Sequence, residues 1–104
     1  MSDDVTGPQI SHHEAREQYE IRHGEALAGF AQYQKAPGLV VFTHTEIRPE
    51  HEGQGLAGQL IRFALDDVRE AGSLVLPICP FVQAYMQRHP EYADLDYREH
   101  RPAE

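Results

Sequence analysis

Residues 39–60, LVVFTHTEIRPEHEGQGLAGQL, contain the change of pattern that decides the fold. Leu39 to Ile47 is rich in β-branched and aromatic residues and reads as a strand, which Pro49 ends. From Leu56 onward the apolar residues recur every four positions, Leu56, Leu60, Ala64 and Val68, with Ile61 and Leu65 beside them. That is the stripe of a helix, and Gly72 is its stop. Between strand and helix lies Glu52-Gly53-Gln54-Gly55. Amides in a first helical turn have no internal partner and the helix dipole adds partial positive charge, so this junction suits a phosphate, and Gly53 and Gly55 let an anion approach the backbone closely. A tight turn is the plainer reading of the same glycines. No Gly-Lys-Ser/Thr follows, which excludes a Walker loop. The spacing Gly53, Gly55, Gly58 would match a dinucleotide fingerprint only inside a βαβ unit, whereas antiparallel strands precede it.

Toward the N-terminus, Tyr19 and Ile21 alternate with polar Glu20 and Arg22, which predicts a strand, and His23-Gly24-Glu25 is a short turn. A second strand runs from Ala26 to about Gln34, and Lys35-Ala36-Pro37-Gly38 turns into the strand at Leu39. These make an antiparallel three-strand meander. Toward the C-terminus, Ser73 to Ile78 is nearly continuously apolar, the pattern of a buried strand, and its helical connection places it parallel to the strand at Leu39. Cys79-Pro80 then opens a second helix, with Pro at the first helical position and Phe81, Val82, Tyr85 and Met86 behind it; Pro90 ends it. The fold class is therefore α/β in the α+β sense: a mixed sheet built from a meander followed by a β-α-β-α unit.

A length of 104 residues fits one domain, with a core over about 9–97 and loose ends from Met1 to about Pro8 and from about Arg98 to Glu104. Nine Lys and Arg against seventeen Asp and Glu give a net charge of -8, which argues against an electrostatic hold on nucleic acid and favours cationic partners such as amines. One cysteine forms no internal disulfide, the start at Met1-Ser2-Asp3-Asp4 has no basic or apolar leader segment, and no apolar run approaches the ~20 residues of a membrane helix. The expectation is a cytoplasmic protein with no membrane partner, a monomer or weak dimer.

Three side chains are candidates for chemistry. Cys79 falls at the predicted N-cap of the second helix, where a helix N-terminus stabilises a thiolate, although a lone Cys is more commonly a small buried hydrophobe. His44 lies in the strand before the glycines, alternating with Val40, Phe42 and Glu46, and an imidazole is the usual proton acceptor near neutral pH. Tyr85 packs in the core or donates a proton to a leaving thiolate. His51 and the His12-His13 pair match no metal template and are expected at the surface; no metal is expected. Both the glycines and Cys79 lie beyond the C-terminal ends of two adjacent parallel strands, where open sheets bind ligands. Phosphates at one and sulfur at the other suit coenzyme A.

The order His44-Thr45-Glu46, Glu50-His51-Glu52-Gly53-Gln54-Gly55-Leu56-Ala57, Cys79-Pro80-Phe81-Val82 and His89-Pro90-Glu91-Tyr92 resembles the GNAT superfamily of acetyl-coenzyme A N-acetyltransferases, over about residues 19–95. More narrowly it is similar to the minimal YjdJ-type branch. The resemblance implies a GNAT-like fold and acetyl transfer from acetyl-coenzyme A to an amine acceptor. It implies that the amides of Gly53, Gln54, Gly55, Leu56, Ala57 and Gly58 hold the pyrophosphate, with Glu50 standing where Gln or Arg is usual. Glu46, Ile47 and Arg48 would line the pantetheine arm, and Cys79, Pro80, Phe81 and Tyr85 the acyl end. Tyr85 would serve as acid, and Cys79 as acyl carrier with His44 as its base. Larger members insert helices between their first two strands, whereas only His23-Gly24-Glu25 joins the first two strands read here. The acceptor site is therefore expected to be open, suited to a chain N-terminus, an exposed lysine or a polyamine. Direct transfer and a Cys79 intermediate both remain, as do a coenzyme A binding module acting through protein contacts and a plain interaction domain.

Overall fold

A strand precedes those read from the sequence. The computed structural model describes residues 7–100, and its chain runs β1 (Gln9–His13), β2 (Gln18–His23), β3 (Ala26–Ala36), β4 (Leu39–Ile47), α1 (Leu56–Glu70), β5 (Leu74–Pro77) and α2 (Pro80–Arg88). The sheet order is β1-β2-β3-β4-β5. The first four strands are antiparallel, and β4 pairs with β5 in parallel, Leu39 to Phe42 against Leu74 to Pro77. The expected mixed sheet is present, with a four-strand meander in place of three. One correction follows for the loops: the first two strands are joined by a single 3-10 turn at Glu14–Arg16, and His23-Gly24-Glu25 joins the second and third.

Helix α1 lays Leu56, Leu60, Ile61, Ala64, Leu65 and Val68 on one face of the sheet, against Tyr19, Ile21, Ala31, Tyr33, Val40, Phe42 and Val75. All belong to one hydrophobic core, which Val82, Tyr85 and Met86 of α2 and Tyr92 and Leu95 beyond it complete. The segment after α2 is tied to α1. Arg69 donates to both Asp94 carboxylate oxygens, at 2.7 and 3.1 Å, and to the Glu91 carbonyl at 2.7 Å, and the Tyr92 hydroxyl donates to Asp66 at 2.6 Å. Farther along, Asp96 bridges to Val75 on the outer edge of β5, and Arg98 donates to Asp96. Of the ends expected to be loose, residues 1–6 and 101–104 lie outside the described residues. No helix of the described residues is long and apolar enough to cross a membrane.

Two features invert the simple alternation. Glu20 is only 1% exposed although its neighbours in sequence face the core. It lies on the sheet face away from α1, covered by Gln18 at 2.6 Å, His13 at 3.1 Å, Arg22 at 3.2 Å and Arg16 at 3.5 Å. In β4, Gln32 is opposite His44 while Tyr33 is opposite Phe42, so Thr43 is an extra residue in a β-bulge. Before the bulge Val40 and Phe42 face α1. After it Thr45 and Ile47 do, and His44 and Glu46 point to the outer face, so His44 does not share a face with Val40 and Phe42 as alternation suggested.

Candidate functional site

The bulge coincides with the end of β5. Pro77 has no N–H to extend the ladder, the Ile78 amide turns back to the Leu76 carbonyl at 3.1 Å, and the Cys79 amide donates to the Phe42 carbonyl at 2.9 Å. There the two parallel strands part. Among the described residues, no strand pairs with that side of β4 from Thr43 to Ile47. A groove of about 440 Å³ opens beside this free edge, with Ile47 at the strand, His51 and Glu52 in the following 3-10 turn, and Gly53, Gly55 and Leu56 to Gly58 on one wall. The opposite wall is one side of α2, Phe81, Tyr85 and Arg88, with His89 just past its end.

The glycine wall has the character an anion needs. Gly53 and Gly55 have φ of +82° and +74°, a region costly for any residue with a side chain, and a Cβ at either position would meet no atom within 4 Å. The turn thus requires glycine and leaves open space above it. Among the described residues, the amides of Gly53, Gln54, Gly55, Leu56, Ala57 and Gly58 find no acceptor; the first bond of the helix is Gln59 N–H to the Gly55 carbonyl, at 3.3 Å, and no side chain caps it. Six successive unpartnered donors at a helix N-terminus make a concave field of partial positive charge.

The other candidates separate around β4. Cys79 is buried, its thiol 3.4 Å from the Thr45 hydroxyl on the α1 side of the sheet. His44 is on the outer side, its Nε2 3.2 Å from Glu46 Oε1, with both side chains about half exposed. The bulge therefore keeps His44 and Cys79 on opposite faces and joins His44 to Glu46 instead. Tyr85 lies against the first turn of α1, 3.8 Å from where a Gly58 Cβ would be, and its ring stacks on His89 at 4.0 Å. Burial, and to a lesser degree Glu91 and Asp66, push its hydroxyl above the ordinary tyrosine value against the opposing effect of Arg62. It keeps its proton at neutral pH and so can donate it. Of the residues named from the sequence, Ile47, Gly53, Gly55, Leu56, Ala57, Gly58, Phe81 and Tyr85 line the groove; Glu46, Arg48, Gln54, Cys79 and Pro80 stand outside its lining.

A model of the family described as GCN5-related N-acetyl-transferase matches residues 18–95, three quarters of the chain. The chain belongs to that family. No protein of curated function matches it. Among solved structures, a GCN5-like protein from Staphylococcus aureus superposes with a TM-score of 0.66 at 19% identity, covering 85% of this chain and 86% of that one. The ribosomal-protein-S18-alanine N-acetyltransferase of Escherichia coli gives 0.56 at 18% identity, over 58% of this chain and 39% of the enzyme. The ribosomal-protein-alanine N-acetyltransferase of Brucella melitensis gives 0.51 at 20%, over 84% and 62%. These likenesses show a shared fold, and the chain spans well under half of the Escherichia coli enzyme.

The residues present fit the acetyl-coenzyme A that the GCN5-related family implies: an unpartnered amide cradle for a pyrophosphate, and a free strand edge for a chain of amides. Among the described residues no three His, Cys, Asp or Glu are grouped to hold a metal ion. Sequence reasoning missed four groove residues, His51, Glu52, Arg88 and His89. His51 was expected in solvent, yet its Nδ1 is buried and, among the described residues, unpartnered. Arg88 and His89 were not read as site residues, although the spacing of Arg88 from Phe81 and Tyr85 places those three on one side of α2.

Proposed function

We propose that this chain, as a member of the minimal YjdJ-type branch, transfers an acetyl group from acetyl-coenzyme A directly to an amine. The observation that carries the reading is the row of six unpartnered amides facing a groove at the point where β4 leaves β5. Bound there, acetyl-coenzyme A supplies an activated thioester. The amides from Gly53 to Gly58 hold its pyrophosphate, and the free edge of β4 from Thr43 to Ile47 offers backbone groups to the pantetheine amides. Tyr85, held protonated, gives its proton to the departing thiolate. On the outer face, the His44–Glu46 pair takes the proton that the acceptor amine must lose before it attacks.

The direct route is favoured over acyl transfer through Cys79 because the thiol is buried against Thr45 and His44 is on the other face. Replacing Cys79 by Ala is expected to leave turnover unchanged; loss of turnover with retained donor binding would restore the covalent route. The single 3-10 turn between β1 and β2 supports an open acceptor side, suited to a chain N-terminus, an exposed lysine or a polyamine. The same short connection also supports the alternative of a coenzyme A binding module acting through protein contacts. The test is release of free thiol from acetyl-coenzyme A with N-terminal peptides, lysine peptides and polyamines. Thiol release with one of them supports the transferase; donor binding with no release from any acceptor supports the module.

A further inference from the structure

Arg16 and Arg22 are held by Glu20, Arg69 by Asp94 and Arg98 by Asp96. Among the described residues Lys35, Arg48, Arg62 and Arg88 make no ion pair, and of these four only Arg88 lines the groove, where it stands exposed. Its neighbour His89, also in the wall, stacks on Tyr85 and lies 3.5 Å from Glu91; the acid across the groove is Glu52.

Two contacts set the direction of α2 along the groove. At its start, Cys79 meets Thr45 just past the bulge. One turn and a half later, Tyr85 lies beside Gly58, the last residue of the amide cradle. Arg88 lies a further turn on, about 13 Å along the axis from Cys79. The α2 wall accordingly runs from Phe81, two residues past the buried thiol, through Tyr85 to a guanidinium. A ligand with sulfur at the Thr45 end and pyrophosphate at the cradle must carry whatever lies beyond its pyrophosphate toward Arg88. Arginine presents several donors in a fork suited to a phosphate, and unlike the amides it carries a full charge.

Resting on the donor reading above, we propose that Arg88 is a specificity-determining residue that recognises the phosphomonoester at the nucleotide end of the donor, the group that distinguishes coenzyme A from dephospho-coenzyme A. The test is calorimetric titration of both ligands into the wild type, Arg88→Ala and Arg88→Lys. The wild type is expected to bind coenzyme A about tenfold more tightly than the dephospho form. Arg88→Ala should lose that preference by weakening coenzyme A alone, and Arg88→Lys should keep part of it. An unchanged preference in Arg88→Ala, an equal loss for both ligands, or no preference in the wild type would each overturn the assignment while leaving the donor reading intact. Binding of neither ligand by the wild type would remove the donor reading and this assignment with it.

Discussion

In the C-terminal half of α1 both aspartates are engaged: Asp66 accepts from the Tyr92 hydroxyl at 2.6 Å, and Asp67 accepts from the Tyr19 hydroxyl at 2.7 Å and lies 3.3 Å from His12, whose ring stacks on Tyr19. At the N-terminus of the same helix, six successive amides have no acceptor among the described residues and no side chain caps them. A fold limited to a few kcal/mol of net stability gains from satisfying its polar groups and loses from leaving them open. The open end is the one that faces a groove. The comparison assigns stability to one end of α1 and binding to the other, so changes at the two ends should be separable.

The largest effect is expected at the open end. Gly55→Val forces a β-branched residue to a φ of +74° and closes the cradle. Donor affinity should fall at least a hundredfold by calorimetry, while the strain of about 1–3 kcal/mol leaves a folded protein by circular dichroism. Retained affinity would break the comparison. Next come His44→Gln and Glu46→Gln on the outer face. Each should lower turnover about a hundredfold or more without changing donor affinity; unchanged turnover would take the base away from this pair.

Smaller effects belong to the satisfied end. Tyr92→Phe removes one hydrogen bond to Asp66 and should cost about 1 kcal/mol in denaturant unfolding, with donor affinity unchanged. A change in affinity there would show that the two ends are coupled. The pH profile sharpens the same point. Burial alone would raise the Glu20 carboxyl, but the hydrogen bond from Gln18 and the electrostatic pull of His13 and Arg22 outweigh it and hold the group below its ordinary value of 4.5. A carboxyl that is a stronger acid in the folded state contributes fully above its unfolded pKa, and that contribution is lost as pH falls through the lower folded one. Melting temperature should therefore drop on acidification below about pH 4.5, less steeply in Glu20→Gln. At the other extreme, burial and the bond to Asp66 push Tyr92 up to about 12, so its contribution, complete below pH 10, should be lost between pH 10 and about 12.

The strand-to-helix change at Gly53-Gln54-Gly55 was legible because the apolar period shifts from two to four across it and glycines mark the junction. β1 was not legible: Gln9–His13 has one aliphatic residue, Ile10, and as an edge strand it buries too little to impose alternation. The His12 expected in solvent serves instead as an aromatic lid on Tyr19, with its Nε2 2.5 Å from the Tyr33 hydroxyl. The bulge at Thr43 escaped because one inserted residue leaves composition untouched while inverting every side chain after it. This is why the cradle, made of backbone, was found from sequence, whereas the side-chain partnership of His44 was assigned to Cys79 in place of Glu46.

The central claim is that the open end of α1 holds acetyl-coenzyme A, and melting temperature with and without that ligand tests it most directly. A ligand at a hundred times its dissociation constant adds about 2.7 kcal/mol to the native state. The account predicts several degrees of stabilisation in the wild type, absent in Gly55→Val; no shift in the wild type at millimolar acetyl-coenzyme A would contradict it.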